Sequence, residues 1–164
     1  MSNKKNIVGA QVSSLRPYLQ TPQELRASLQ KLADMGYRTV QMQWWNPEFE
    51  PELVAAAVRG AGLTCVSTQD LYTAVRDDFE RTVRLNVLCG STCVCVSGIP
   101  APVPDTASVL AFSAELAAMA ARVSAAGHDA GVSPSHARGN GRPQTRPSRA
   151  FPARNCFWST RLKT

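Results

Sequence analysis

The sequence predicts an α/β fold: the first four βα units of an eight-fold (β/α)8 barrel over residues 1–127, followed by an irregular basic tail over 128–164. Three observations predict it. First, an amphipathic stretch runs into a glycine and then a short β-branched segment three times: KLADMGYRTVQMQ at Lys31–Gln43, AAAVRGAGLTCVST at Ala55–Thr68 and VRLNVLCGSTCVCVS at Val83–Ser97. Helix, glycine stop and strand in that order build a parallel sheet with crossover helices. Second, the first turn, Gln11–Gln20, holds no glycine-rich phosphate cradle of the sort that marks open nucleotide-binding sheets. Third, amides, hydroxyls and aromatics recur where the strands end, as a barrel whose loops converge on one ligand requires.

The first strand is read at Asn6–Gln11. The first helix opens with Thr21 as cap, Pro22 in its first turn and Glu24 three residues after the cap, a capping box. Leu25, Leu29 and Leu32 then supply a stripe to lay on a sheet, and Gly36 closes the helix. Thr39–Gln43 is the second strand, with Trp44–Pro47 as its exit. Pro51 and Glu52 begin the second helix, carried by Leu53, Val54, Ala57 and Val58. Leu63–Thr68 is the third strand, leaving through Gln69–Tyr72. Val75, Phe79, Val83 and Val87 mark one third helix at four-residue spacing. Thr92–Ser97 is the fourth strand, leaving through Gly98–Pro100. Asp105 caps a fourth helix whose stripe is Val109, Phe112, Leu116, Met119 and Val123. That helix also ends on a glycine, Gly127, but no strand-like run follows it.

Charge places a boundary at the same point. The chain has 18 Lys and Arg against 12 Asp and Glu. Residues 128–164 hold six Arg and one Lys against Asp129 alone, which leaves eleven bases and eleven acids in 1–127. The basic balance is thus a property of the tail. No run reads as long and apolar enough to span a bilayer, and Met1–Asn6 has no apolar signal core, so a cytoplasmic protein without a membrane partner is expected. The five cysteines, Cys65, Cys89, Cys93, Cys95 and Cys156, show no metal-ligand spacing and are expected to be reduced, packed thiols.

Candidate ligand-binding residues are Gln11, Gln43, Trp45, Ser67, Gln69, Asp70 and Ser97. Each also admits a plain reading as a loop-entry residue, and one of the adjacent Trp44 and Trp45 is expected in the core. The segments IVGAQVSSLRPYLQTPQEL (Ile7–Leu25), GYRTVQMQWW (Gly36–Trp45), GLTCVSTQDLY (Gly62–Tyr72) and CGSTCVCVSGIP (Cys89–Pro100) resemble the sugar phosphate isomerase/epimerase family, the xylose isomerase-like TIM barrels. The resemblance implies an eight-stranded barrel with a divalent metal, Mn or Mg. It further implies proton transfer beside a sugar carbonyl and a sugar or sugar phosphate as the small-molecule partner. In that family the metal ligands and catalytic acids come from strands five to eight, so no catalytic or metal residue carries over onto this chain. At the third strand exit, where the family often has histidine, stands Gln69, which hydrogen-bonds but does not titrate near neutrality.

Three readings of the tail stay open: a basic segment that contacts nucleic acid, a solvated extension, or an out-of-frame translation. The third ranks first. His128–Pro134 has a coding in which a one-nucleotide shift reads Met-Thr-Leu-Ala-Tyr-His, an echo of Leu63–Ser67 and of the family's fifth strand. On it, His128 and His136 are accidents of frame, and nucleic acid is an unlikely partner. The expected protein is a truncated isomerase/epimerase-type half-barrel, inactive alone, with a barrel interior formed by the apolar alternates flanking Val40, Val66 and Val94. It is also expected to associate through open sheet edges. The alternative is a non-catalytic βα binding or assembly module whose basic tail contacts nucleic acid.

Overall fold

The computed structural model describes residues 8–97 and 105–133. Five strands form one parallel sheet in chain order: β1 (Ala10–Gln11), β2 (Thr39–Met42), β3 (Thr64–Leu71), β4 (Cys93–Ser97) and β5 (Asp129–Ser133). Between them lie a 3-10 segment (Val12–Tyr18) and helices α1 (Pro22–Asp34), α2 (Pro51–Gly60), α3 (Tyr72–Asp77), α4 (Phe79–Cys89) and α5 (Thr106–Ala125). Alternation of strand and helix with every neighbour parallel is the layout of a partial (β/α)8 barrel.

The local signals act as expected. Thr21 Oγ1 accepts from the Glu24 amide at 3.2 Å, and the Glu24 carboxylate accepts from the Thr21 amide at 3.0 Å. Leu25, Leu29 and Leu32 are buried against Val40 and Met42 of β2 and against Val54 and Val58 of α2. The four glycines that close the repeated units all have positive φ, between 65° and 97°. At Gly90 this left-handed cap turns the chain from α4 into β4. A second cluster joins Val94 and Val96 of β4 to Met119 and Val123 of α5, and to Tyr72 and Val75 of α3.

Four expectations need correction. A strand does follow Gly127: β5 pairs in register with all of β4, from Cys93 against Asp129 to Ser97 against Ser133. Asp-Ala-Gly-Val-Ser has little strand preference of its own, and the open edge of β4 supplies the hydrogen bonds that extend it. Residues 134–164 lie outside the described residues, and so do Asn6 and Ile7 of the expected first strand. The third strand runs on to Leu71, because Gln69, Asp70 and Leu71 pair with Cys95, Val96 and Ser97. The single third helix is two, broken at Asp78 (φ −136°, ψ 67°), whose carboxylate caps α4 by accepting from the Arg81 amide at 3.1 Å. Val87 of its expected stripe is consequently exposed.

The fourth correction concerns α5. Its 20 residues, with a window of mean hydropathy 1.3, are long and apolar enough to cross a membrane by length and composition alone. It serves here as the crossover between β4 and β5. Met119 and Val123 pack on the sheet, Glu115 accepts a hydrogen bond from the Tyr72 hydroxyl, and Arg122 lies 3.9 Å from the centre of the Phe79 ring.

Candidate functional site

The two faces of the sheet differ in chemistry. Val40 and Met42 point into the helix layer, so alternation turns Gln41 and Gln43 to the opposite face. In β4 the same rule sends Val94 and Val96 to the helices and Cys93, Cys95 and Ser97 away from them. In β3 the pairing skips Val66: Val40 stands against Cys65, but Gln41 against Ser67. That irregularity lets Cys65 pack in the helix-side core while Ser67 and Gln69 turn to the polar face. In a closed barrel this second face is the interior. The residues flanking Val40, Val66 and Val94 there include Gln41, Ser67 and Cys95, so the expectation of an apolar interior is overturned for this half.

A row of amides crosses that face. Gln11 Nε2 donates to Gln41 Oε1 at 3.0 Å, and Gln41 Nε2 donates to Gln69 Oε1 at 3.2 Å. Both bonds run the same way, from β1 towards β3, and a chain of aligned bonds strengthens each member. Gln41 and Gln69 are buried, whereas Gln11 opens to solvent and its Oε1 accepts from the Ser13 hydroxyl at 3.2 Å. On β4 the Cys95 thiol interacts with the side chains of Ser67 and Gln41, and burial holds its pKa above that of an ordinary thiol. Cys65, Cys89 and Cys95 are free thiols, whereas Cys93 is disulfide-bonded, against the expectation that every cysteine is reduced.

Of the residues singled out from sequence, Gln11 and Gln69 meet in this row, and Ser67 borders it through the Cys95 thiol. Gln43, two residues beyond Gln41, is 2% exposed, and its Oε1 has no hydrogen-bond partner. Ser97 is buried and its hydroxyl donates to the Asp70 carbonyl at 3.1 Å. Asp70 accepts the Leu71 amide at 2.8 Å, and burial first, against the pull of that amide and of Arg81, raises its carboxyl above the ordinary range. Trp45 sits in the hydrophobic core with Leu19 and Phe49, so it offers no face to a ligand. Among the described residues the more accessible tryptophan is Trp44, at φ 60°, with the Arg16 guanidinium 5.0 Å from its ring centre. Gln41, the centre of the row, escaped the sequence reading. Its signal was the QMQ triplet, in which Gln41 and Gln43 share one face by period two.

The described residues do not fit a divalent metal: no group of three His, Cys, Asp or Glu comes together among them. Neutral amides and hydroxyls line the row, groups that can hydrogen-bond hydroxyls but do not move protons near neutrality. His128 stands at the other end of the sheet, its Nδ1 3.1 Å from the Ser91 carbonyl oxygen.

No family model and no curated protein sequence matches the chain. Solved structures do. A sugar phosphate isomerase/epimerase from Parabacteroides distasonis superposes with a TM-score of 0.63 at 16% identity, covering 80% of this chain and 52% of that one. A xylose isomerase-like TIM barrel protein from Mycobacterium smegmatis, solved in complex with magnesium, gives 0.60 at 13% identity, covering 76% and 54%. A family 2 AP endonuclease from Brucella melitensis gives 0.53 at 14%, covering 76% and 53%. The chain therefore has the α/β fold of a partial TIM barrel, as the resemblance implied. It is similar in fold to the xylose isomerase-like barrels and spans about half the length of the structures it matches.

Proposed function

We propose that this chain is the sugar-binding half of an isomerase/epimerase-type barrel, without catalytic activity by itself. The amide row Gln11–Gln41–Gln69 carries the reading. Three glutamines held in line across adjacent strands of a barrel interior keep hydrogen-bonding capacity beyond their mutual bonds, since each amide has a second N–H and its oxygen a second lone pair, which suits a ligand bearing successive hydroxyls. The likeness in fold to a sugar phosphate isomerase/epimerase supports the same substrate class. Isomerisation needs a group that titrates and a means of stabilising an enediolate. The row supplies neither, so in this reading the metal and the acid–base pair belong to later strands.

The reading frame is part of the proposal: residues from His128 onward are taken as out of frame, and the basic character of 134–164 as a by-product. Buried His128 Nε2, left without a partner at the start of β5, supports this, since a selected histidine there would be expected to use both ring nitrogens.

The test is a titration of the full chain with free pentoses, hexoses and their phosphate esters, followed by NMR of the glutamine side-chain amides. Shifts at Gln11, Gln41 and Gln69, lost in Gln41→Leu, are expected. Absence of any response, together with nucleic-acid binding that weakens steeply with salt, would replace this reading with that of a binding module acting through its tail.

A further inference from the structure

Two local costs coincide at the exit of β2. Gln43 is 2% exposed with its Oε1 buried and unpaired. The next residue, Trp44, holds φ at 60°, the left-handed region that a bulky side chain rarely adopts. A buried acceptor without a donor is unusual, and strained backbone collects where a ligand is held. The row beside it adds a complementary feature. Because both of its bonds run towards β3, Gln69 Oε1 is occupied by Gln41, while Gln69 Nε2 donates no hydrogen bond among the described residues. An unpaired acceptor just past β2 and an unused donor on β3 thus border the same interior.

We propose that Gln43 is a ligand-reading residue: its side-chain carbonyl accepts a hydroxyl of a neutral polyol, with Gln69 Nε2 donating to a second hydroxyl of the same molecule. A hydroxyl both donates and accepts, so one ligand class satisfies both groups; a phosphate has no proton to spare for Gln43 and would need a cation instead. Among the described residues the guanidiniums near this exit are both engaged: Arg16 is stacked on Trp44, and Arg81 donates to the Pro47 and Phe49 carbonyls. The inference rests on the sugar-binding reading and deepens it, naming an uncharged polyhydroxyl portion as what this half recognises.

Ribitol and ribose 5-phosphate serve as probes for the full chain, with Gln43→Met as the variant, since methionine keeps the length and removes the acceptor. In the free state the variant should melt a few degrees above wild type, because an unsatisfied buried group costs about 1–3 kcal/mol. It should also lose the thermal shift that ribitol gives wild type. In wild type alone, the Gln43 Cδ resonance should move on saturation with ribitol, a readout that does not depend on the variant folding. A lower melting point for Gln43→Met would show the carbonyl to be satisfied in solution and overturn the proposal. So would an unmoved Cδ, a ribitol response kept by the variant, or a response to ribose 5-phosphate alone. Wild type indifferent to both probes would sink the sugar-binding reading itself, and this inference with it.

Discussion

Asn86 shows how single residues tie this sheet to its helices. Fully buried on α4, it donates to Thr68 Oγ1 at 2.8 Å and to the Thr82 carbonyl at 2.9 Å, while its Oδ1 accepts from the Thr68 hydroxyl at 3.0 Å. Asn86→Ala leaves Thr68 without its partner in the core and is expected to lower stability by about 2 kcal/mol, read as a drop in the urea midpoint at unchanged slope. Asp70 makes an opposite case. Its carboxyl is raised, mainly by burial, so the folded chain holds this proton more tightly than the unfolded chain does. Its contribution is therefore most favourable below about pH 4 and is lost as pH rises through the raised value. Asp70→Asn removes that loss. Urea midpoints across the acid range should show the wild type declining relative to the variant as pH increases, with Asp70→Asn no less stable at neutral pH. Gln41, by contrast, was half legible: the QMQ triplet puts Gln41 and Gln43 on one face but leaves open which of them meets β3. Which glutamine of the triplet joins the row depends on the register skip at Val66, a pairing between strands that no local pattern records.

Among the elements, α5 is the most lopsided. Met119 and Val123 are buried, whereas Leu110 is 66% exposed and Val109 47% exposed. Met119→Ala should cost about 2–4 kcal/mol through the cavity it leaves. Leu110→Glu should leave the thermal midpoint within about a degree or two, since exposed positions free of special contacts tolerate change. Equal destabilisation by both would mean that a second surface covers α5. The elements also show what the sequence could reveal. The capping box at Thr21, the leucine stripe of α1 and the glycine stops are local signals, and each was legible. The extension of β3 to Leu71, the break at Asp78 and the whole of β5 were not. The extension and β5 arise because the edge of β4 offers hydrogen bonds to whatever chain lies beside it. The break at Asp78 comes from a cap competing with continued helix.

For the whole molecule, the open sheet is the dominant fact. β1 and β5 end the order of strands among the described residues, and Val132 on β5 is 58% exposed. Unpaired strand edges beside apolar surface are adhesive. The chain is expected to sediment as a concentration-dependent mixture and to bind a hydrophobic dye; a dilution-independent monomer without dye binding would contradict this. Calorimetry should detect no stoichiometric micromolar Mn²⁺ binding, since no three His, Cys, Asp or Glu side chains converge among the described residues. The coding DNA past codon 127 should, in its shifted frame, stay open and encode further strand–helix units with acids and histidines at strand ends; early stops in both alternative frames would discard the frameshift. The order of the strands has one more consequence, for synthesis. Each strand pairs with its predecessor in the chain, so a polypeptide leaving the ribosome always finds its docking edge already made. The sheet is able to grow by accretion, one unit at a time, and once β4 has emerged its free edge is ready to receive the five residues of β5 that follow the α5 crossover.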